Sequence, residues 1–367
     1  MKTTNSKDLV KVNQILPIMQ EHFGQSVNLA RIKLMALLLH ALCVVQTVSL
    51  HKLAGAMPTD VDRDSSLRRL QRFFARYVLD LDIIARVIFS LLPVKTELVL
   101  SMDRTNWKFG EFNINILMLG VTYKGIAFPL IFSLLPKRGN SNWEERKKIM
   151  ERFIRLFGSD CIDCLVADRE FIGKEWIGWL NNRRIRYYIR IRQNFWIVRP
   201  STGNRIRAWW LFNDLRVGQE KFYHKLFLHK GEYVYLAGSR IKSSDGVPEL
   251  QILICFNRPE DAVMTYKRRW EIETAFKAMK SSGFNIEDTH MRDTERIARL
   301  VAMVCMALIW AYLVGEHKDI HVKPIRILKH GRKAKSLVKY GLEEIASILM
   351  RPAYTPKFDV FKFLSCS

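Results

Sequence analysis

Between residues 7 and 90 apolar positions recur with a helical period, as at Leu34, Leu37, Leu38 and Ala41, which share one face. Glycine is scarce there, and an all-helical N-terminal region is expected. Within it, residues 48–56 form a short apolar-periodic segment, MPTDVDRD reads as a turn, and residues 65–77 read as a second, arginine-rich helix. From Glu97 the pattern shortens to extended runs, LVLSMD, EFNINILMLGVTY and IAFPLIFSLL, the last two separated by a turn at Lys124-Gly125. A charged amphipathic helix over 142–157 follows, then the strand CIDCLVAD, a helix over 173–182 and the strand RYYIRIR. Residues 192–258 hold only β-type segments, NFWIVR, KFYHKLFLH, EYVYLAGSRI and ELQILICF, broken by turn residues. A long helix is expected over 261–280, helical segments over 294–316, and a less regular basic tail after them.

Three consecutive strands followed by alternating helix and strand predict an α/β sheet covered by helices. The order matches a ribonuclease H-like core carrying a mainly β insertion and preceded by an all-helical domain. The expected segments are a helical DNA-binding region over 1–92, the first part of the core over 93–191, the β-rich insertion over 192–258, the second part of the core with its glutamate helix over 259–316, and a basic tail over 317–367. The uncharged run 300–314 falls short of the ~20 residues that cross a bilayer. It reads as a buried helix, with a short membrane segment as the competing reading, and no membrane partner is expected.

Charge narrows the partner. Lys and Arg number 59 against 36 Asp and Glu, a formal net charge of +23 spread along the whole chain, and such a field draws polyanions. Nucleic acid on an extended surface is the expected ligand. Arg68, Arg69, Arg72 and Arg76 fall on the second helix of what has helix-turn-helix spacing, available to phosphates or base edges. A plain helical hairpin with a solvated basic face fits the same pattern, and both readings stay open. Six cysteines and no N-terminal signal peptide fit a reducing cytoplasm. Cys161 and Cys164 form a lone C-x-x-C inside an apolar run, which favours strand packing over metal binding.

Asp103 and Asp168 each end an apolar run, so both are expected at the C-terminal ends of neighbouring buried strands, the functional edge of an α/β sheet. The competing reading is that each simply caps a strand-to-loop turn. Farther on, Tyr266, Arg269, Glu273 and Lys280 fall on one helical stripe about 60° wide, at roughly 100° per residue. A solvated face laced with ion pairs would carry the same spacing.

Together these segments resemble the insertion-sequence-four family of DDE transposases: Asp103 in MDRTNW, Asp168 in ADREF, and a Y-x2-R-x3-E-x6-K signature in YKRRWEIETAFKAMK. The likeness spans about residues 30–315. It implies that Asp103, Asp168 and Glu273 are catalytic and hold two Mg²⁺ ions, with Mn²⁺ able to substitute, so that the chain cleaves DNA at the element's ends and joins them to a target. It further implies that Tyr266, Arg269 and Lys280, with Arg169, contact the DNA backbone, and that Trp270 and Trp209 or Trp210 stack on an extruded base. Core packing is the competing reading for the tryptophans of the β region. The implied partners are double-stranded DNA, as terminal inverted repeats and as target, and a second copy of the chain in the synaptic complex. The implied place of action is the bacterial cytoplasm at the nucleoid. Two other functions fit the same carboxylates, a ribonuclease H-like nuclease that cuts without joining and a DNA-binding protein without catalysis.

Overall fold

Helices form where a periodic apolar face coincides with a cap. The computed structural model describes residues 6–242, 245–351 and 354–365. Cys366 and the outer ends of the expected segments 1–92 and 317–367 lie outside the described residues. The N-terminal helices are α1 (Ser6–Phe23), α2 (Leu29–Val45), α3 (Leu50–Gly55), α4 (Arg63–Arg76) and α5 (Leu81–Leu91). Next come β1 (Leu98–Phe109), β2 (Phe112–Tyr123), β3 (Ile126–Leu134), α6 (Trp143–Phe157), β4 (Ile162–Ala167), α7 (Lys174–Asn182) and β5 (Arg186–Ile191). The β-rich segment supplies β6 (Trp196–Val198), β7 (Arg205–Arg207), β8 (Glu220–His229), β9 (Glu232–Lys242) and β10 (Pro248–Cys255). The chain ends with α8 (Ala262–Tyr266), α9 (Trp270–Lys280), α10 (Thr294–His321) and α11 (Leu337–Met350). By internal contacts it divides into two units: Met1–Pro93, Asn106–Ile114 and Ala275–Ser367 in one, Val94–Thr105 and Asn115–Thr274 in the other.

The first unit is helical and built on α10. Side-chain oxygens accept from the orphan N–H groups at the helix starts: Asn28 for α2, Asp62 for α4, Asp80 for α5, Asp293 for α10 and Ser336 for α11. From Leu300 to Gly315 every residue of α10 is buried, and α2, α4, α5 and α11 pack around it. Its most apolar window is long enough to cross a membrane but is wholly enclosed here, as a helix apolar all round should be in a protein core. Polar ties fix its neighbours: Arg299 Nη1 donates to Phe74 O at 2.7 Å, Trp310 Nε1 to Val360 O at 2.9 Å, and Lys318 pairs with the buried Glu344 at 2.6 Å.

The second unit is organised by a ten-stranded sheet of order β3-β2-β1-β4-β5-β10-β9-β8-β6-β7. β1 turns into β2 at Gly110, whose φ of +57° suits a residue without Cβ, and β2 pairs antiparallel with β3. β1, β4 and β5 then run parallel, as the crossover helices between β3 and β4 and between β4 and β5 require. β10 adds antiparallel to β5, and β9 to β10. The β-rich segment therefore continues the same sheet edge to edge.

Three expectations need correction. β1 does not end at Asp103 but runs on to Phe109. The helix expected over 261–280 keeps helical backbone but tightens into a 3-10 turn over Lys267–Arg269, between α8 and α9. The region read as an irregular basic tail contains α11, which buries Val338, Leu342, Ile345, Ile348 and Leu349.

Glycine lets α10 and α11 approach closely. A Cβ on Gly341 would sit 1.8 Å from Ala311 O, and one on Gly315 would sit 1.9 Å from Leu337 O. Backbone must move to accept either, so Gly341→Ala is expected to cost at least about 1–3 kcal/mol and to lower the thermal unfolding midpoint. An unchanged midpoint would contradict this packing.

Candidate active site

The parallel ladder of β1 and β4 pairs Leu100 with Leu165, Ser101 with Val166 and Met102 with Ala167. All six of these residues are buried, the continuous burial expected of central parallel strands. The next residue along each segment is an aspartate, Asp103 within β1 and Asp168 just past the end of β4. Neighbouring strands lie only ~4.8 Å apart, so the ladder's end sets two carboxylates side by side at its C-terminal edge.

The turn between α8 and α9 delivers the remaining groups. Arg268 Nη2 donates to Thr122 O at 2.8 Å and Ser101 Oγ to Arg269 O at 3.4 Å, fastening the 3-10 turn to β1 and β2. Arg269 is consequently only 5% exposed. Its Nη1 donates to Glu273 Oε1 at 2.6 Å and lies 3.6 Å from Asp103 Oδ2. The Tyr266 hydroxyl donates to Asp168 Oδ1 at 3.4 Å, and the Trp270 ring stacks 4.5 Å from the guanidinium carbon. Arg269 Nε is buried and has no acceptor among the described residues.

Burial opposes the charge on Arg269, but Tyr266, Glu273 and Asp168 together hold its pKa above the ordinary arginine value. Burial pushes the Tyr266 phenol well up; Arg269 opposes this and Asp168 adds to it. Asp103 is raised from 3.8 to about 7, chiefly by desolvation. The Arg104 N–H and Arg269 pull it down, while Glu273 and Glu170 push it further up. Negative charge on this carboxylate is therefore undercompensated by the protein.

A second arginine braces the two aspartates. Arg104 grips Glu170 with Nε and Nη2, at 3.2 and 3.1 Å, and donates to Asn115 Oδ1 at 3.0 Å and Asn140 Oδ1 at 3.1 Å. Arg146, buried on α6, donates to Glu170 O at 2.9 Å and to Ser141 Oγ at 2.9 Å, and burial lowers its pKa to about 10. Arg104 follows Asp103 directly and Glu170 stands two residues after Asp168, so this fork ties the two aspartate-bearing segments together. Sequence reasoning passed over Arg104, Glu170 and Arg146. The signal was the repeated Asp-Arg in MDRTNW and ADREF, whose partners become visible only once β1 and β4 are placed in register.

The other candidates scatter. Lys280 falls in the helical unit, where its ammonium donates to Asn106 O at 3.0 Å and pairs with Glu287 at 2.9 Å. Arg169 is exposed on the loop after β4. Trp209 and Trp210 sit in a 3-10 turn, Ala208–Leu211, the first half-buried and the second exposed. A tryptophan not singled out, Trp196 on β6, lines a cavity of about 540 Å³ with Arg192, Phe195, Arg205 and His229. The Arg205 and Arg207 guanidiniums lie 4.8 and 3.7 Å from its ring centre.

Among the described residues no three His, Cys, Asp or Glu side chains stand together as a ready-made metal cage. Asp103 and Glu273 instead share the Arg269 cation. The chemistry of the donors nonetheless suits a hard divalent ion: all are carboxylate oxygens, and one is a largely desolvated carboxyl whose charge Arg269 offsets only in part.

The raised Asp103 pKa carries a stability consequence. Folding favours its protonated form, so the group's stabilising contribution is complete below about pH 4 and is lost as pH rises through about 7. With divalent ions chelated, Asp103→Asn is expected to stabilise the fold at pH 8, by on the order of a few kcal/mol at most, which raises the thermal midpoint there and leaves it little changed at pH 4. An equal shift at both pH values would contradict the burial argument.

Comparison with curated proteins finds no match. Residues 146–310 match the family model described as the transposase DDE domain, a span that holds Asp168, Tyr266, Arg269, Glu273 and Lys280 and begins after Asp103. That match supports a DDE transposase.

Proposed function

We propose that the chain is a DNA transposase of the insertion-sequence-four type. In this reading it cuts at the ends of its element and joins them to target DNA by a cut-and-paste route, at a site made by Asp103, Asp168 and Glu273. The observation that carries it is that Asp103 and Glu273 flank the buried Arg269 where the β1 and β4 ladder ends, with Asp168 at the same edge and bonded to Tyr266. The strand order β3-β2-β1-β4-β5, antiparallel and then parallel, supports a ribonuclease H-like core.

The three carboxylates would hold divalent ions, Mg²⁺ with Mn²⁺ as substitute and two to a site, which would supply activation of an oxygen nucleophile and stabilisation of the leaving oxygen in a displacement at phosphorus. Cleavage and strand transfer are the same displacement with water or a 3′-hydroxyl attacking, so one site serves both. Arg269 then acts as a cation toward the reacting phosphate. Tyr266 orients Asp168 through its hydroxyl, and the Arg104–Glu170 fork keeps both aspartates in place. Trp270, 59% exposed beside Arg269, offers a face for a base, as do Trp209 and Trp210; Lys280 and Arg169 hold backbone. Pairing of two element ends calls for a second copy of the chain, working at the nucleoid in the cytoplasm.

The test is cleavage of a supercoiled plasmid bearing the element's own ends, with Mg²⁺ or with EDTA. Metal-dependent cutting and joining is expected, and Asp103→Ala, Asp168→Ala and Glu273→Ala should each lower it by on the order of 10²-fold or more while DNA binding survives. Binding without cutting would favour a DNA-binding protein, and cutting without joining a nuclease.

A further inference from the structure

In the helical unit an open cleft of about 1030 Å³ lies between α4 and the start of α10. Its α4 wall carries Arg68, Arg72 and Arg76, its other wall Arg292 and Arg296. All five are exposed. On α4 the reason is periodicity. Leu70, Phe73 and Phe74 are buried in the core, which leaves the i, i+4, i+8 row of arginines outward, each step rising ~6 Å along the helix. Arg69 does not line the cleft and lies half-buried, so of the four arginines singled out on this helix it alone turns away.

Among the described residues none of the five guanidiniums is paired with a carboxylate. The acidic side chain that lines the cleft, Asp293, is engaged as the cap of α10, accepting from Arg296 N at 2.9 Å. Arg292 rests on the Phe109 ring at 5.5 Å. Five exposed like charges in one concavity repel each other and attract a polyanion. A repeated anion suits them better than a single small one, because the cations form rows along two walls and none is buried as an anchor.

We propose that this cleft grips the phosphate backbone of double-stranded DNA, with Arg76, Arg292 and Arg296 acting beside Arg68 and Arg72, and that it does so without reading base sequence. The inference rests on the DNA-transposase reading and adds a place and a mode of binding. The mode follows from shape. A helix with its side chains is ~10–12 Å across, about the ~12 Å width of the major groove, so the groove has little room for α4 together with the second wall that faces its arginines. Guanidiniums inside a cleft can still reach phosphates, which position the protein and carry no sequence information.

The experiment is a salt titration of DNA binding by the full chain, read by fluorescence anisotropy. It uses two duplexes of equal length, one carrying the element's end and one with that sequence scrambled. The double variant Arg292→Ala/Arg296→Ala should weaken binding to both duplexes by the same factor. It should also make the dependence of log K on log salt shallower by roughly 1.8, at about 0.9 for each phosphate that is no longer neutralised. Arg76→Glu should weaken both duplexes as well, and Arg292→Lys/Arg296→Lys should restore most of the affinity and slope. Native binding that both the alanine pair and Arg76→Glu leave unchanged would overturn the cleft while leaving the transposase reading intact. A loss confined to the end-bearing duplex would overturn the backbone mode. Failure of the native chain to bind either duplex would remove the DNA reading itself.

Discussion

The Arg269 guanidinium, buried between Glu273 and Asp103 and within the field of Asp168, is the interaction on which the arrangement of the site depends. Carboxylates this close repel, and burial makes Asp103 costlier to ionise. Removing one partner of a buried, hydrogen-bonded charge costs far more than an exposed pair ever returns. The fold therefore devotes its local geometry to holding this cation in place. The helix tightens at Lys267–Arg269, Arg268 reaches Thr122 O, and Ser101 ties down the Arg269 carbonyl. Anchored in this way, the turn holds Arg269 deep in the second unit.

The aspartates owe their positions to a different constraint, the register of β1 against β4. Met102 opposite Ala167 makes Asp103 and Asp168 neighbours by necessity, and a shift of one residue would bury one carboxylate in the sheet and strand the other. The bidentate Arg104–Glu170 pair guards that register from outside the ladder. Planar guanidinium and carboxylate match each other in only a few orientations, so the pair transmits position as well as charge. Asn115, which accepts from Arg104 and donates to the Lys137 and Gly139 carbonyls, extends the brace to the loop after β3.

Much of this was legible in the residues. Apolar runs ending in Asp103 and Asp168 foretold neighbouring strands, because a buried parallel strand tolerates no charge until its ladder stops. The helical N-terminal region followed from its period, and the two hairpin-like runs before α6 from theirs. What escaped were features fixed by distant partners. Asp103 lies within β1, because the strand continues beyond β4's reach to pair with β2, and no local propensity marks that difference. The Arg104–Glu170 fork joins residues 66 apart and exists only after folding. α11 escaped because the lysines and arginines before it dominate the composition, although Leu342, Ile345 and Leu349 carry a clear helical period. Trp196 was passed over for Trp209 and Trp210, since nothing in the β-rich sequence tells which indole faces a cavity.

The central claim, that these three carboxylates form one site for divalent cations, is tested most directly by titrating Mn²⁺ into the protein and following the free ion by electron paramagnetic resonance. The native chain is expected to bind the ion, Asp103→Asn, Asp168→Asn and Glu273→Gln should each weaken that binding, and Mg²⁺ should compete for the same sites. Equal Mn²⁺ binding by the native protein and all three variants would contradict it.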